Sequence, residues 1–332
     1  MGIFVNYDVI YRDTLCCEPI IRKMPWGFLL LCECGGACEP ALENKMYSFT
    51  STDGLTWNGP YEIWKEEEGA QCLSELLVTP DGWALGFFIR HSGSFTDIQT
   101  VLRRSRDGIT WETVDFPAEL AHMHLYRSAV ATSDGSGCII AYQFHKVYTP
   151  VPEGARLLDK GIAQQVENGS LYFNWNGHMM KSNVPVVTHF PTRWGKHFIW
   201  TESALAVTGT NELTMLIRMD GTGLLYVTKS HNLGETWSDP SPIDIPNPGN
   251  KVCLYTLPDG RIVLLHTPNT KERTPFSLWI SDDGMKTFSQ KIDLLAEEGD
   301  FYHYADCIWH DGKLWITIER NRKEILIFRC EL

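Results

Sequence analysis

The sequence is short of positive charge. Twenty-nine lysines and arginines stand against 41 aspartates and glutamates, a formal net charge of −12. That balance repels polyanions, so neither a nucleic acid nor an anionic membrane is an expected partner. A local basic pocket for an anionic ligand is still compatible with it. No apolar run approaches the roughly 20 residues that span a bilayer. The opening MGIFVNYDVIYRD has no basic start and no long apolar core, so it does not read as a secretory signal. Helical heptads, low-complexity tracts, linkers and cofactor-binding motifs are also missing, and no cofactor is expected. Ten cysteines without a signal fit a reducing cytoplasm, where thiols stay free.

Apolar and aromatic residues are plentiful. They make up 43% and 12% of the chain, with twelve tryptophans, enough for a large interior built from packed sheets. One motif recurs, seen most fully as Ser230-His-Asn-Leu-Gly-Glu-Thr-Trp237. Its side-chain acceptor and glycine suit a tight turn between strands, and its tryptophan anchors the turn on its own sheet. Shorter copies run from Ser51 to Trp57 and from Ser105 to Trp111. A fourth, Ser281 to Phe288, puts Met285 where the glycine belongs.

The motif serines are spaced by 54, 125 and 51 residues, so the long gap holds two repeats, one without its motif. Each unit has an apolar run, a turn such as Asp81-Gly82 or Asp259-Gly260, and a second apolar run, the pattern of a hairpin. Six units are counted, with first strands beginning near Glu18, Glu75, Tyr126, Glu202, Asn250 and Tyr304. Six four-stranded units of about 50 residues predict a single all-β domain over 1–332, a six-bladed β-propeller whose first strands line the channel. The Ile3–Tyr11 and Glu324–Cys330 strands are expected to share one blade. Residues Val151–Phe198, rich in Gly, Asn and Pro, read as an irregular loop that walls the pocket or merely decorates a blade.

The repeated Asp box on six blades resembles the sialidase (neuraminidase) superfamily. The box itself marks architecture, so function rests on other residues. From Trp200 onward the likeness sharpens, through Trp200-Thr-Glu202, Met215-Leu-Ile-Arg218, Leu264-Leu-His-Thr-Pro-Asn269, Arg273-Thr-Pro and Phe301-Tyr-His-Tyr304-Ala-Asp306. The resemblance implies an exo-glycosidase removing a terminal, acidic sugar from a small oligosaccharide or glycoside. Tyr304 would be the nucleophile, Glu202 its base, and Arg218 and Arg273 a clamp on the sugar's carboxylate. Asn269 and Asp306 join the expected substrate contacts. Glu75 and Arg90 in the second blade repeat the spacing of Glu202 and Arg218, as a brace or as a second pair of channel charges.

The first blade departs from the family. Cys17 and Glu18 stand where the family carries an arginine, and strict alternation turns Arg22 away from the channel. Arg12 could reach in only from the entering loop. The family's general acid is an aspartate on the loop after the first hairpin. Here that loop offers Glu39 and Glu43, with Glu33 and Glu18 on the strands as further candidates. On the last blade, period two puts Tyr302, Tyr304 and Asp306 on one face and His303 on the other. His122, His124, Tyr126 and Arg127 form a second polar set. The spacing of Cys32, Cys34 and Cys38, near Cys16 and Cys17, is not a recognised zinc pattern, and no metal is expected. Two other classes stay open, a non-sialidase glycosidase or polysaccharide lyase on the same scaffold and a non-catalytic carbohydrate-binding propeller.

Overall fold

The computed structural model describes residues 6–64, 69–93, 98–118, 121, 125–148, 157–158, 162–175, 179–181 and 201–332. Among them the regular structure is all strand. Strand β1 (Tyr7–Arg12) is followed by β2 (Cys16–Met24), β3 (Gly27–Cys34), β4 (Lys45–Ser51) and β5 (Asn58–Glu62), which form the first blade. The second holds β6 (Ala70–Val78), β7 (Ala84–His91), β8 (Gln99–Ser105) and β9 (Glu112–Val114). In the third are β10 (Leu125–Ala131), β11 (Gly137–Tyr148), β12 (Leu157–Leu158), β13 (Ile162–Asn174) and β14 (Met179–Lys181). The fourth comprises β15 (Ser203–Gly209), β16 (Glu212–Ile217), β17 (Leu224–Ser230) and β18 (Ser241–Pro246). The fifth comprises β19 (Cys253–Thr256), β20 (Ile262–His266), β21 (Phe276–Ser281) and β22 (Gln290–Leu295). The sixth takes β23 (Tyr302–His310), β24 (Lys313–Arg320) and β25 (Glu324–Cys330), with β1 added at the outer edge of β25. Six antiparallel blades make a β-propeller, and the two ends of the chain share its last sheet, as the sequence predicts.

The chain divides into two compact units. One holds the third, fourth and fifth blades, the other the sixth, first and second. Within each unit the core lies between facing sheets. Ile20, Met24 and Leu29 pack on Leu73, Leu76 and Phe88 between the first and second blades. Ala204, Leu216 and Leu225 pack on Leu254, Leu264 and Trp279 between the fourth and fifth. Alternating large apolar side chains on both faces of short strands favour this stacking.

The Asp boxes explain themselves bond by bond. Asp53 Oδ1 accepts from Ser51 Oγ and from the amides of Leu55 and Thr56, while Ser51 Oγ accepts from Gly54 N. These bonds hold the Asp53 carboxyl down at about 2. The copies at Ser105, Ser230 and Ser281 repeat the serine–Asx bond at 2.9–3.0 Å. Met285 adopts the left-handed conformation (φ 67) that the missing glycine would have taken, and its side chain compensates by packing into the core. Each turn also abuts the preceding blade, which the sequence does not reveal. A Cβ on Gly54 would lie 2.3 Å from Trp315 and one on Gly108 2.8 Å from Leu29. Trp237 donates its Nε1–H to Ser170 of the third blade at 3.0 Å.

One sequence expectation is corrected here. Ile162–Asn174 and Met179–Lys181 are strands, and β13 pairs with β11 in unbroken register from Gly137↔Asn174 to Tyr148↔Ala163. The glycine and asparagine that suggest loop are carried inside this pairing, and Leu171 and Phe173 are buried. The remainder of 151–198 lies outside the described residues.

Candidate active site

The unit of the sixth, first and second blades carries a repeated backbone device. Strand β2 has one extra residue between Cys17 and Ile20, β6 one between Leu73 and Glu75, and β23 one between His303 and Asp306. Such bulges re-aim side chains. At two of them the bulged residue is non-glycine and left-handed, with φ 52 at Glu18 and φ 44 at Tyr304. Glu18 and Tyr304 therefore hold equivalent positions. The match extends to the next strand, where Glu33 lies opposite Cys17 and Glu319 opposite His303.

The bulges overturn two parity expectations. In register, Cys17 and Arg22 fall opposite Glu33 and Leu29, on one face of the hairpin, so strict alternation fails for Arg22. Likewise His303 and Asp306 fall opposite Glu319 and Thr317, so they share a face. Arg22 then ties three first strands together. Its Nη2 donates to Glu75 Oε1 at 2.7 Å, its Nη1 to Asp306 Oδ2 at 2.6 Å, and its Nε to the Leu76 carbonyl at 2.7 Å. Asp306 also accepts from the Ile21 amide at 2.8 Å. Glu75 and Asp306, expected as substrate contacts, are thus engaged by Arg22. Arg90 is half-buried at the end of β7.

Around Cys17 the charges are crowded. Glu319 is wholly buried; its Oε2 accepts from the Glu18 amide at 2.9 Å, and its Oε1 lies 3.3 Å from His303 Nδ1. Burial pushes its pKa up to about 8, against the pull of Arg322. Arg322, on the turn after β24, donates from Nη2 to Glu39 Oε2 and lies 3.6 Å from Cys17 Sγ. A guanidinium therefore does stand beside Cys17, delivered from the far end of the chain. Tyr304 is half-buried with its ring stacked on His303 at 6.1 Å.

The general-acid candidates separate. Glu39 is drawn into this cluster by Arg322, whereas Glu43 is exposed. Buried Asn44 shapes their loop, accepting from Ala41 N and donating to the carbonyls of Gly35 and Cys38. Arg12 lies on the outermost strand, two-thirds exposed, in an ion pair with Glu324. Cys32 and Cys34 touch at 3.4 Å and Cys34 and Cys16 at 3.8 Å in the core, while Cys38 is exposed.

The other unit holds the arginine side of the expected site. Arg218 Nη1 donates to Glu202 Oε2 at 2.5 Å and its Nε to Asp220 Oδ1 at 2.7 Å, with both members of the first pair nearly sealed from solvent. Arg273 is half-buried and donates from Nη2 to the Gly249 carbonyl at 2.7 Å. Burial raises the Asp220 carboxyl, with Arg218 and Arg273 pulling it back. A Cβ on Gly249 would come within 2.7 Å of Asp220 Oδ1, so only glycine lets this loop pass. Asn269 builds the loop that carries Arg273: it donates to the Thr274 carbonyl and accepts from the amides of Lys271 and Glu272. Glu202, Arg218 and Arg273 are thus brought together around an aspartate that sequence reasoning missed. The only sequence signal was its place two residues beyond Arg218.

Glu319 and Arg322 were also missed. Glu319 was legible only as the counterpart of Glu33, a glutamate closing the apolar second strand. Of the polar set on the third blade, His122 and His124 lie outside the described residues, as do the side chains of Tyr126 and Arg127. Trp200 lies outside them too.

The profile of the BNR repeat-like domain matches residues 165–316. No curated protein matches the chain in sequence. Among solved structures, a protein of unknown function from Dyadobacter fermentans is similar at TM-score 0.77 and 16% identity, with 99% of each chain covered. The Hadza microbial sialidase Hz136 is similar at TM-score 0.72 and 16% identity, over 97% of this chain and 66% of that one. The Trypanosoma rangeli sialidase, solved with 2,3-difluorosialic acid as a covalent intermediate, is similar at TM-score 0.68 and 13% identity, over 98% of this chain and 59% of that one. At such identities the likeness speaks to fold, and the four Asp boxes, six blades and repeat profile agree with it. The chain is a six-bladed β-propeller that matches the BNR repeat-like profile over residues 165–316.

Proposed function

We propose that the protein is a retaining exo-glycosidase that removes a terminal acidic sugar from a small glycoside. The observation that carries this reading is Tyr304, a half-buried tyrosine held left-handed at a bulge on the first strand of the sixth blade. Strained non-glycine backbone of this kind persists where surrounding structure enforces it, and it concentrates at functional sites. In the proposed reaction Tyr304 Oη attacks the anomeric carbon as the bond to the leaving oxygen breaks. A general base accepts the phenol proton, the role that the family resemblance gives to Glu202, and Glu39 protonates the leaving oxygen. Water then attacks the anomeric carbon of the glycosyl–tyrosine and gives its proton to Glu39, while the released phenolate recovers its own from the general base. Two displacements retain configuration. The family resemblance gives Arg218 and Arg273 the sugar's carboxylate, a task for which forked guanidiniums are suited. The covalent intermediate named for the Trypanosoma rangeli sialidase is consistent with such a route on this fold.

A second reading draws on the equivalence of Glu18 and Tyr304. A glutamate in the same left-handed bulge offers the ordinary nucleophile of a retaining glycosidase, acting on a non-sialic sugar. Assay against a panel of chromogenic glycosides, including sialic and uronic acids, separates the two. Release of an acidic sugar that Tyr304→Phe abolishes supports the first reading. Activity that survives in Tyr304→Phe and vanishes in Glu18→Gln supports the second. Sugar binding with no turnover across the panel makes the protein a carbohydrate-binding propeller.

A further inference from the structure

Glu33 and Glu319 occupy matching positions, yet they differ in their surroundings. Glu319 finds the amide of the neighbouring bulge. Glu33 is fully buried, and among the described residues neither of its carboxylate oxygens has a hydrogen-bond partner. A buried carboxylate left so is costly and calls for a counter-charge or a proton. Its surroundings are anionic: Glu39, Glu18 and Glu319 all act on it, with Arg322 the opposing cation. The carboxylates of Glu33 and Glu39 and the Cys72 sulfur each offer an atom, and all three atoms lie within 4.8 Å of one another.

We propose that Glu33, Glu39 and Cys72 bind a divalent cation of zinc's borderline character. Two carboxylates and a thiolate match zinc's donors, and their bond lengths of roughly 2.0–2.3 Å can be met after small side-chain adjustments. The sulfur disfavours calcium and magnesium, which take oxygen. Arg322 donates to Glu39 Oε2, the kind of hydrogen bond that orients a ligating carboxylate. Binding displaces the Cys72 thiol proton, so affinity rises with pH. A cation bound here would compete with the general-acid role proposed for Glu39, so the tests read metal binding directly and do not depend on glycoside turnover.

Cobalt is the probe, because a thiolate ligand gives it a charge-transfer band in the near ultraviolet. Chelator-washed full-length protein is titrated with Co2+ and then with Zn2+. The expected result is one cobalt per chain with that band, displaced by zinc, lost in Cys72→Ser and kept in Cys38→Ser. Glu33→Gln, an isosteric neutral variant that should fold, weakens zinc binding at least tenfold and removes the zinc-induced rise in Tm. Substoichiometric binding to the wild-type protein overturns the proposal, as does a band that persists in Cys72→Ser or an unchanged zinc response in Glu33→Gln. The wild-type stoichiometry and the Glu33→Gln response decide the matter even if Cys72→Ser fails to fold.

Discussion

The first and sixth blades share a backbone and differ at its tip. In both, a bulge on the first strand holds a left-handed residue, and in both the second strand places a glutamate opposite the residue before it. One tip is Tyr304 and the other Glu18. One glutamate, Glu319, caps the adjoining bulge; the other, Glu33, sits with Glu39 and Cys72. The repeat supplies the scaffold and single residues supply the chemistry. Neighbouring blades in one unit thus present different side chains on a matching backbone.

Five changes break or sharpen this contrast. The largest effect is expected for Tyr304→Phe, which removes the proposed nucleophile and should lower kcat/KM on a cleaved glycoside at least about a thousandfold. Glu18→Gln should cost far less if the two bulges differ in role. Steady-state kinetics on both variants, with circular dichroism to verify folding, decide it.

The next effect concerns Glu319. Its folded pKa, about 8, lies above the ordinary carboxylate value, so the folded state keeps a proton that the unfolded state releases. The contribution of Glu319 to stability is then fully present below about pH 4.5 and is lost as pH rises through about 8, by several kcal/mol in order of magnitude. Urea unfolding at several pH values should show that slope reduced in Glu319→Gln.

His266, in the fifth blade, gives the opposite slope. It is buried with no hydrogen-bond partner on either ring nitrogen among the described residues, stacked edge-on against Trp279 at 4.4 Å. Burial lowers its pKa to about 3. Its neutral form fits the core, so its contribution to stability is fully present above about pH 6.5 and is lost as pH falls toward 3, by a few kcal/mol in order of magnitude. His266→Phe should flatten the acid limb and leave the alkaline one unchanged. The smallest effect is expected for Glu18→Gly, which relieves the left-handed backbone and should stabilise the protein by about 1 kcal/mol in denaturant titration.

The sequence made the architecture readable because Asp boxes and Asp-Gly turns are local signals. Their spacing also located the third blade, whose box is missing. The bulges were not readable. Each is a one-residue offset created by pairing, and it inverts the parity used to orient Arg22 and Asp306. Nor was Arg322 at Cys17, since nothing local links residues 305 positions apart. Glu202, Arg218 and Arg273 were legible through family resemblance, whereas Asp220 between the arginines was not. Its role depends on burial and on the glycine at 249.

The central claim is that Tyr304 attacks the sugar. Its most direct test is mass spectrometry of the protein after turnover of a fluorinated acidic glycoside that slows the second displacement. The account predicts one covalent sugar per chain, on the peptide containing Tyr304. A cleaved substrate with no adduct there, or with the adduct on Glu18, would contradict it.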